Sequence, residues 1–408
     1  MDAVKAIFLT AVTLACAVGC GLWGDSGPPP ELPETWLSEM LQTVPAQTDI
    51  SHRLRYLWIA SYEAGRVPLP MGYDSEKDAP YVIPWGTIGA PPGDYWNSWP
   101  LLIDTTGLNI LYRDQAVWIH GEFFGIHTGE LGEPAEIRAR LSDTGYERYY
   151  HRGVEYYRFV PDYYSARDKH PYGSILYMLV NNIAFVDERK MITSRHTEDL
   201  KKVIDAREGL VQSMGDEERW RTLAKASGDE ILGGLLIAPE YVMRPFETEN
   251  WGRGIRTRSD ILEDWARYAE GPDAWGMLEP YTASAIGYTL RDGAAGTLIA
   301  LYHPDPEAAD RNAVELKHRW KSAHMALRNE ETFTTTQESS QGPDIPFTEM
   351  CAPLETRTLV FDESSVLLAN CTAIEREAIF GGAGGYDFYW GVFNYHELHF
   401  LVPDISGL

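Results

Sequence analysis

Residues 6–23 are apolar or small throughout, with Lys5 before them and Asp25 after them. A short charged start followed by an apolar core reads as an export signal. This feature divides the chain. The part that must build a core lies beyond about residue 24, and it must fold outside the cytoplasm. Thiols are oxidised there, so cysteine acquires a structural meaning it would not have inside the cell. No later apolar segment reaches spanning length; the best, residues 231–238, is strand-sized.

Two cysteines sit inside the run. Ala17-Val18-Gly19-Cys20 resembles the bacterial lipobox, in which small residues precede a Cys that is lipidated and becomes the new N-terminus. Ala17 stands where Leu is usual, and Thr13-Leu14-Ala15-Cys16 is a second candidate. The expected organisation is a lipoprotein signal over residues 1–20, with Cys20 lipidated, and a tether over 21–35. The tether is rich in Gly, Pro, Ser and acids, including Pro28-Pro29-Pro30, and such a stretch acts as a semi-rigid spacer. Two alternatives remain open. The 18-residue run is at the lower limit for an uncleaved transmembrane anchor, and it also fits a signal cut to release a secreted protein.

Charge narrows the partners. Lys and Arg number 35 and Asp and Glu 60, a net charge of −25. Nucleic acid is excluded as a partner, because neutralising phosphates needs a basic surplus. An anionic membrane surface repels such a chain, so attachment must come through the N-terminal lipid.

Only Cys351 and Cys371 lie outside the leader. An even pair in an exported chain predicts one disulfide. Residues 356–361 and 366–371 read as the two strands of a hairpin across Asp362-Glu363-Ser364-Ser365, with the cysteines at its open end. The alternative is two buried free thiols. Asn370-Cys371-Thr372 fits a glycosylation sequon, a modification that is not the default in a bacterium.

The rest of the chain reads as two α/β series. In the first, strands are expected over 53–60, 115–124, 146–160 (broken at Arg152-Gly153), 183–186, 191–194 and 231–238. Helices are expected over 36–44, 134–144, from Thr197 to Arg207, and from Asp216 through Leu223. In the second, strands over 283–290 and 296–302 precede a long helix over 305–328, and 332–337 is a further strand candidate. The closing segment, 386–402, fits helix or strand. The strand–helix alternation matches the ferredoxin-like plan. The predicted class is therefore α+β, with two ferredoxin-like sandwich units and largely antiparallel sheets. The first unit spans 36–240, a connector 241–282 and the second unit 283–408. Both series lead from an apolar strand to a proline-initiated helix, at Pro134 and Pro306, which suggests a duplication.

Several short stretches then resemble a known group. They are Gly145-Tyr146 after a helix, the strand Arg152-Gly153-Val154-Glu155-Tyr156, the strand Ala184-Phe185-Val186-Asp187 feeding Thr193-Ser194, and Tyr302-His303-Pro304-Asp305 opening a long helix. Together with the leader they resemble uncharacterised bacterial lipoproteins with duplicated ferredoxin-like halves, over about residues 110–375. The resemblance implies a fold and an envelope address, and no catalytic residue.

No motif assigns chemistry. Gly24-Asp25-Ser26-Gly27-Pro28 imitates a serine-protease nucleophile motif, but a tether cannot preorganise an oxyanion hole. His396-Glu397-Leu398-His399 has histidines three apart where the zinc-protease signature needs four, so it reads as two ordinary histidines; on a helix the two would share a face, which leaves open a metal site completed by a distant acid. Gly381-Gly382-Ala383-Gly384-Gly385 lacks the Lys-Ser/Thr of a phosphate loop. Tyr81, Trp85, Tyr95, Trp96 and Trp99 form a possible ligand surface within a proline-punctuated stretch. The doublets Tyr149-Tyr150, Tyr156-Tyr157 and Tyr163-Tyr164 are another, with one tyrosine of each pair expected in the core. No catalytic residue, metal site or cofactor is assigned. The expected function is non-enzymatic binding or scaffolding at the cell envelope, toward an envelope protein or glycan. The alternatives are a glycan- or solute-binding module using the 81–99 aromatics and a secreted hydrolase with unrecognised carboxylates.

Overall fold

Apolar runs between turn residues become strands here, and every pairing of two strands is antiparallel. The computed structural model describes residues 31–46, 57–61, 106–108, 113–119, 124–159, 180–242, 268, 274–291, 294–328, 341–374 and 398–404. Residues Leu32–Leu408 form one compact unit. Cys16, Cys20, the 81–99 aromatics, Tyr163-Tyr164, the expected 332–337 strand, the 381–385 glycines and His396 lie outside the described residues.

The strands are β1 Leu57–Ser61, β2 Arg113–Ile119, β3 Phe124–Gly129, β4 Glu147–His151, β5 Val154–Arg158, β6 Asn182–Phe185, β7 Lys190–Ser194 and β8 Gly233–Ile237. They continue with β9 Ala283–Arg291, β10 Ala294–His303, β11 His324–Arg328, β12 Gln341–Pro346, β13 Glu355–Val360 and β14 Ser365–Thr372. Twelve of them form one sheet in the order β13-β14-β10-β9-β8-β1-β2-β3-β7-β6-β5-β4, while β11 and β12 pair separately. The longer helices are α1 Trp36–Leu41, α2 Pro134–Asp143, α3 Thr197–Arg207, α4 Glu218–Ser227 and α5 Ala308–Ser322, with single helical turns at Pro239–Val242 and Phe347–Met350. The class is thus α+β with antiparallel sheets.

Residues directly opposite one another in an antiparallel ladder share a face. One row of such partners crosses the whole sheet. It runs from Tyr149 on β4 through Tyr156, Ala184, Ile192, Ile126, Val117, Ile59, Gly234, Gly287, Leu298 and Asn370 to Glu355 on β13. We call its side the front. Thr197 at the start of α3 donates to Asn182 (3.0 Å), and Lys190 donates to Thr43 just after α1 (3.1 Å), so both helices lie in front. The α4 helix packs there on β9, β10 and β14, and on α1. Arg138 of α2 meets Glu155, and Asn312 of α5 meets His303; these strand residues point the other way, so α2 and α5 lie behind. Helices on both faces explain why β6, β8 and most of β9, β10 and β14 are buried at consecutive positions and do not alternate.

Several local expectations change. The segment 115–124 contains no single strand: β2 ends at Ile119 and β3 begins at Phe124. Thr197 does not cap α3. It is the first helical residue, and its hydroxyl is taken by Asn182 on the sheet. The stretch from Asp216 splits into a 3-10 turn over Met214–Asp216, capped by Ser213, and then α4. The long helix ends at Ser322, and 324–328 is β11, because the chain must turn to bring Phe347 N–H onto Ala323 C=O (2.9 Å). Within the closing segment, His399–Leu401 is a 3-10 turn.

The predicted disulfide is present: Cys351 and Cys371 are bonded, with Cα atoms 5.3 Å apart across a sequence separation of 20. In the chain-entropy picture this closure contributes about 3 kcal/mol. Trp320 of α5 donates its indole N–H to Cys351 C=O (2.9 Å), tying the bridge to the helix behind the sheet.

Where β8 meets β9 the backbones leave no room for side chains. A Cβ on Gly234 would lie 2.2 Å from Ile286 O, and one on Gly287 would lie 2.5 Å from the Ile231 side chain. The first obstacle is backbone and the second a core side chain, so Gly234→Ala is expected to cost about 1–3 kcal/mol, as overpacking does. Chemical denaturation checks this; a midpoint equal to that of the unsubstituted protein would contradict the close approach.

Candidate binding surface at the open edge of the sheet

The β4–β5 hairpin places more aromatic and arginine side chains at the surface than any other strand pair described. Its turn explains the register. Arg152 and Gly153 both have positive φ (53° and 81°), the pattern of a two-residue type I′ turn whose twist matches the strands. That turn sets Tyr149 opposite Tyr156 and Arg148 opposite Tyr157. His151 and Arg152 both reach Asp205 on α3, at 2.9 and 3.3 Å, which fastens the hairpin tip in front.

On the front face Tyr149 stacks on Tyr156 with centroids 5.4 Å apart. Arg158 lies over the Tyr149 ring at 4.5 Å and donates to its hydroxyl at 2.7 Å. The Tyr149 hydroxyl donates in turn to Glu147, and that bond to a carboxylate pushes the phenol's pKa up. On the back face Tyr150 is 62% exposed, with the Arg148 guanidinium 5.8 Å from its ring centroid. Glu155 accepts Arg138 at 2.6 Å and faces Arg148 at 3.6 Å. The tyrosine doublets therefore divide by strand and not within each pair. Tyr156 and Tyr157 are both buried, while Tyr149 is partly and Tyr150 largely open. Position on the sheet decides this: β5 has a neighbour on each side and β4 has one.

Away from this edge, the notable ionisable groups serve packing. His399, half of the histidine pair considered for metal binding, is buried and stacks parallel to Trp275 (5.8 Å) and Tyr268 (5.6 Å). Arg319 is fully buried and donates to the carbonyls of Phe400 (3.0 Å), Val402 (3.1 Å) and Gly276, and to Glu315 (3.1 Å). Burial lowers its pKa, with Glu315 opposing. Lys190 is lowered by burial as well. Among the described residues no group of three or more His, Cys, Asp or Glu is placed to hold a metal ion.

His303 is the most displaced of the titratable groups. Its Nδ1 lies 3.1 Å from Pro280 C=O, and its Nε2 is 3.5 Å from the Asn312 amide nitrogen. Asn312 in turn accepts from Glu279 N–H at 2.7 Å and donates to Glu279 C=O at 3.0 Å. The arrangement calls for a proton on Nδ1 and a lone pair on Nε2, which is the neutral ring. Burial lowers the His303 pKa to about 4.

No family model matches the chain, and no curated protein does. Among solved structures, two crystal forms of TP0453 are similar. Form III matches at 8% identity and a TM-score of 0.31, covering 88% of this chain and 97% of that one. Form I matches at 9% identity and a TM-score of 0.24, covering 64% and 77%. At that level of likeness they bear on neither fold nor function.

The His303 site predicts a pH dependence. Its folded pKa, about 4, lies below its ordinary 6.5, so the unfolded chain binds the extra proton between those values. Stability is complete above pH 6.5 and falls as pH drops toward 4, by about 3 kcal/mol in all. Comparing denaturation midpoints across this window with His303→Gln isolates the contribution. Equal slopes in the two proteins would show that His303 titrates normally.

Proposed function

We propose that this chain is a lipid-anchored protein of the bacterial cell envelope, held outside the cytoplasm through Cys20, and that it binds or scaffolds without catalysing a reaction. The observation that carries the reading is the buried Cys351–Cys371 disulfide, which ties the segment before β13 to β14 and suits an oxidising compartment. It agrees with the export signal and lipobox-like sequence at the other end of the chain. Among the described residues no helix is long and apolar enough to cross a membrane, so attachment in this reading falls to the leader.

The use made of ionisable groups supports a non-catalytic role. His303, Arg319 and His399 hold backbone segments or fill ring stacks. The solvent-facing chemistry described is instead the arginine and tyrosine array of β4–β5, which suits contact with a partner.

We also infer that the two halves descend from one α/β unit. The meander β1–β2–β3 is followed by α2 and by strands whose last member, β7, returns to pair with β3. The meander β8–β9–β10 is followed by α5 and by a hairpin whose last strand, β14, returns to pair with β10. The halves meet at β1 and β8, which run antiparallel, as two copies related by a two-fold axis do. Each half has more strands than the four of a ferredoxin-like unit, so the likeness lies in strand–helix alternation and antiparallel pairing.

Intact-mass analysis of the protein from membranes tests the address. The expected chain begins at Cys20 and carries the mass of a diacylglyceryl group, and Cys20→Ser is not released from its leader. A cytosolic chain that retains Met1 would overturn the reading.

A further inference from the structure

We propose that two copies of this chain join edge to edge through β4, extending the sheet across a two-fold axis at Tyr149. The strand ends the sheet, and among the described residues none pairs with it on its far side. In a two-residue hairpin the residues flanking the turn, His151 and Val154, form a hydrogen-bonded pair, and bonded and non-bonded pairs then alternate. Tyr149 and Glu147 spend their backbone groups on β5. Arg148 and Tyr150 direct theirs outward, along an edge that carries no proline and, in its pairing with β5, no bulge.

The occupant is identified by the strand's own sequence, Glu147-Arg148-Tyr149-Tyr150-His151. In an antiparallel pair centred on Tyr149, Arg148 of each copy faces Tyr150 of the other, and the outward backbone groups of both residues meet. On the back face this sets a guanidinium beside an exposed ring on each side, repeating across the join the Arg148–Tyr150 contact that exists within one chain. On the front face Tyr149 meets its own copy, and Glu147 of each chain faces His151 of the other, acid against base. Every position of the five-residue strand finds a complement in itself. The opposite edge does not: β13 paired with itself about Arg357 sets two guanidinium groups together and Glu355 against Leu359, and paired about Thr358 it sets Arg357 against Leu359 and Thr356 against Val360.

A two-fold axis normal to the sheet keeps front on front. The α1 helix, which follows the tether region, then lies on the same side in both copies. That suits two anchors in one membrane plane, a clause that rests on the lipid-anchored reading; the pairing itself does not. Five residues per copy bury little area, so the association is weak in dilute solution and is favoured where a membrane raises the local concentration.

Sedimentation and hydrogen exchange of the full chain in detergent micelles, across a protein concentration series, test the proposal. The expected result is a concentration-dependent dimer in which the amides of Arg148 and Tyr150 become protected, while that of Tyr149 is protected throughout. Tyr150→Pro removes only an outward N–H, leaves the β4–β5 ladder intact and abolishes the dimer. Arg148→Ala, which takes the guanidinium from beside Tyr150 of the other copy, weakens it independently, and protection of the Tyr149 amide reports that each variant is folded. A chain that stays monomeric with free exchange at Arg148 and Tyr150, or a dimer that survives both substitutions, overturns the proposal. Cys20→Ser is expected to dimerise as before, so a failed anchor and a failed join give different results.

Discussion

The antiparallel pairing of β1 with β8 is the contact on which the rest of the architecture depends. Leu57 to Ala60 meet Leu236 to Gly233, and this short ladder turns two half-sheets into one. Strand register has a period of two, so a slip of one residue there would exchange the faces of one half relative to the other. The helices could not then be shared. The α4 helix belongs to the first series in the chain, yet covers β9, β10 and β14 of the second. Its placement requires both halves to present their front on the same side. Close approach at Gly234 and Gly287, with Ile231 filling the space above the latter, keeps the next strand in step.

Once the sheet is built, two backbone segments with little ladder pairing of their own remain to be held, 274–282 and 398–404. Buried N–H and C=O groups need partners, and here side chains supply them. Arg319 donates to carbonyls in both segments, Tyr281 donates to Leu401 C=O at 2.8 Å, and Asn312 closes on the backbone of Glu279 from both sides. A buried guanidinium is costly to desolvate, and the Glu315 carboxylate with three carbonyls offsets that cost. The same economy keeps His303 neutral, since a proton on Nε2 would face the Asn312 amide hydrogens. Such groups look reactive in a sequence and are fully occupied in the fold.

What could be read in advance follows from the range of the interactions involved. Local signals served well. Arg152-Gly153 marks a break in the 146–160 strand, Pro134 a helix start, and the cysteine pair flanking a hairpin marks its bridge. Where tertiary contact overrides a local rule, the sequence misleads. Thr197 has the chemistry of a cap but spends its hydroxyl on Asn182, fifteen residues away. Apolar residues at helical spacing continued the long helix to 328, where the chain instead turns into β11. For the tyrosine doublets, strand alternation alone puts half of each in the core. Their true division follows from β5 being interior and β4 terminal, and strand order is the least local property of a sheet. Nothing near Arg148 or Arg158 in the sequence marks them as surface groups. The signal was the turn itself, which fixes the register that brings each against a tyrosine.

The two ends of the sheet are finished differently, and net charge gives the difference its meaning. At one end α5 packs against β13, and Arg357 on that strand reaches Glu230 at 3.2 Å. At the other, β4 has, among the described residues, neither a strand paired on its far side nor a lysine turned outward, the usual guards of an edge. A chain of net charge −25 repels its copies at long range, but that repulsion is screened beyond roughly 8 Å at physiological salt. Inside that distance only local charge counts. Around β4 the bases Arg138, Arg148, Arg152 and Arg158 stand among the acids Glu147, Glu155 and Asp205, so this corner of an acidic molecule is close to neutral. An edge left open there, with its charges balanced by position along the strand, has its guards removed where two acidic molecules approach at least cost.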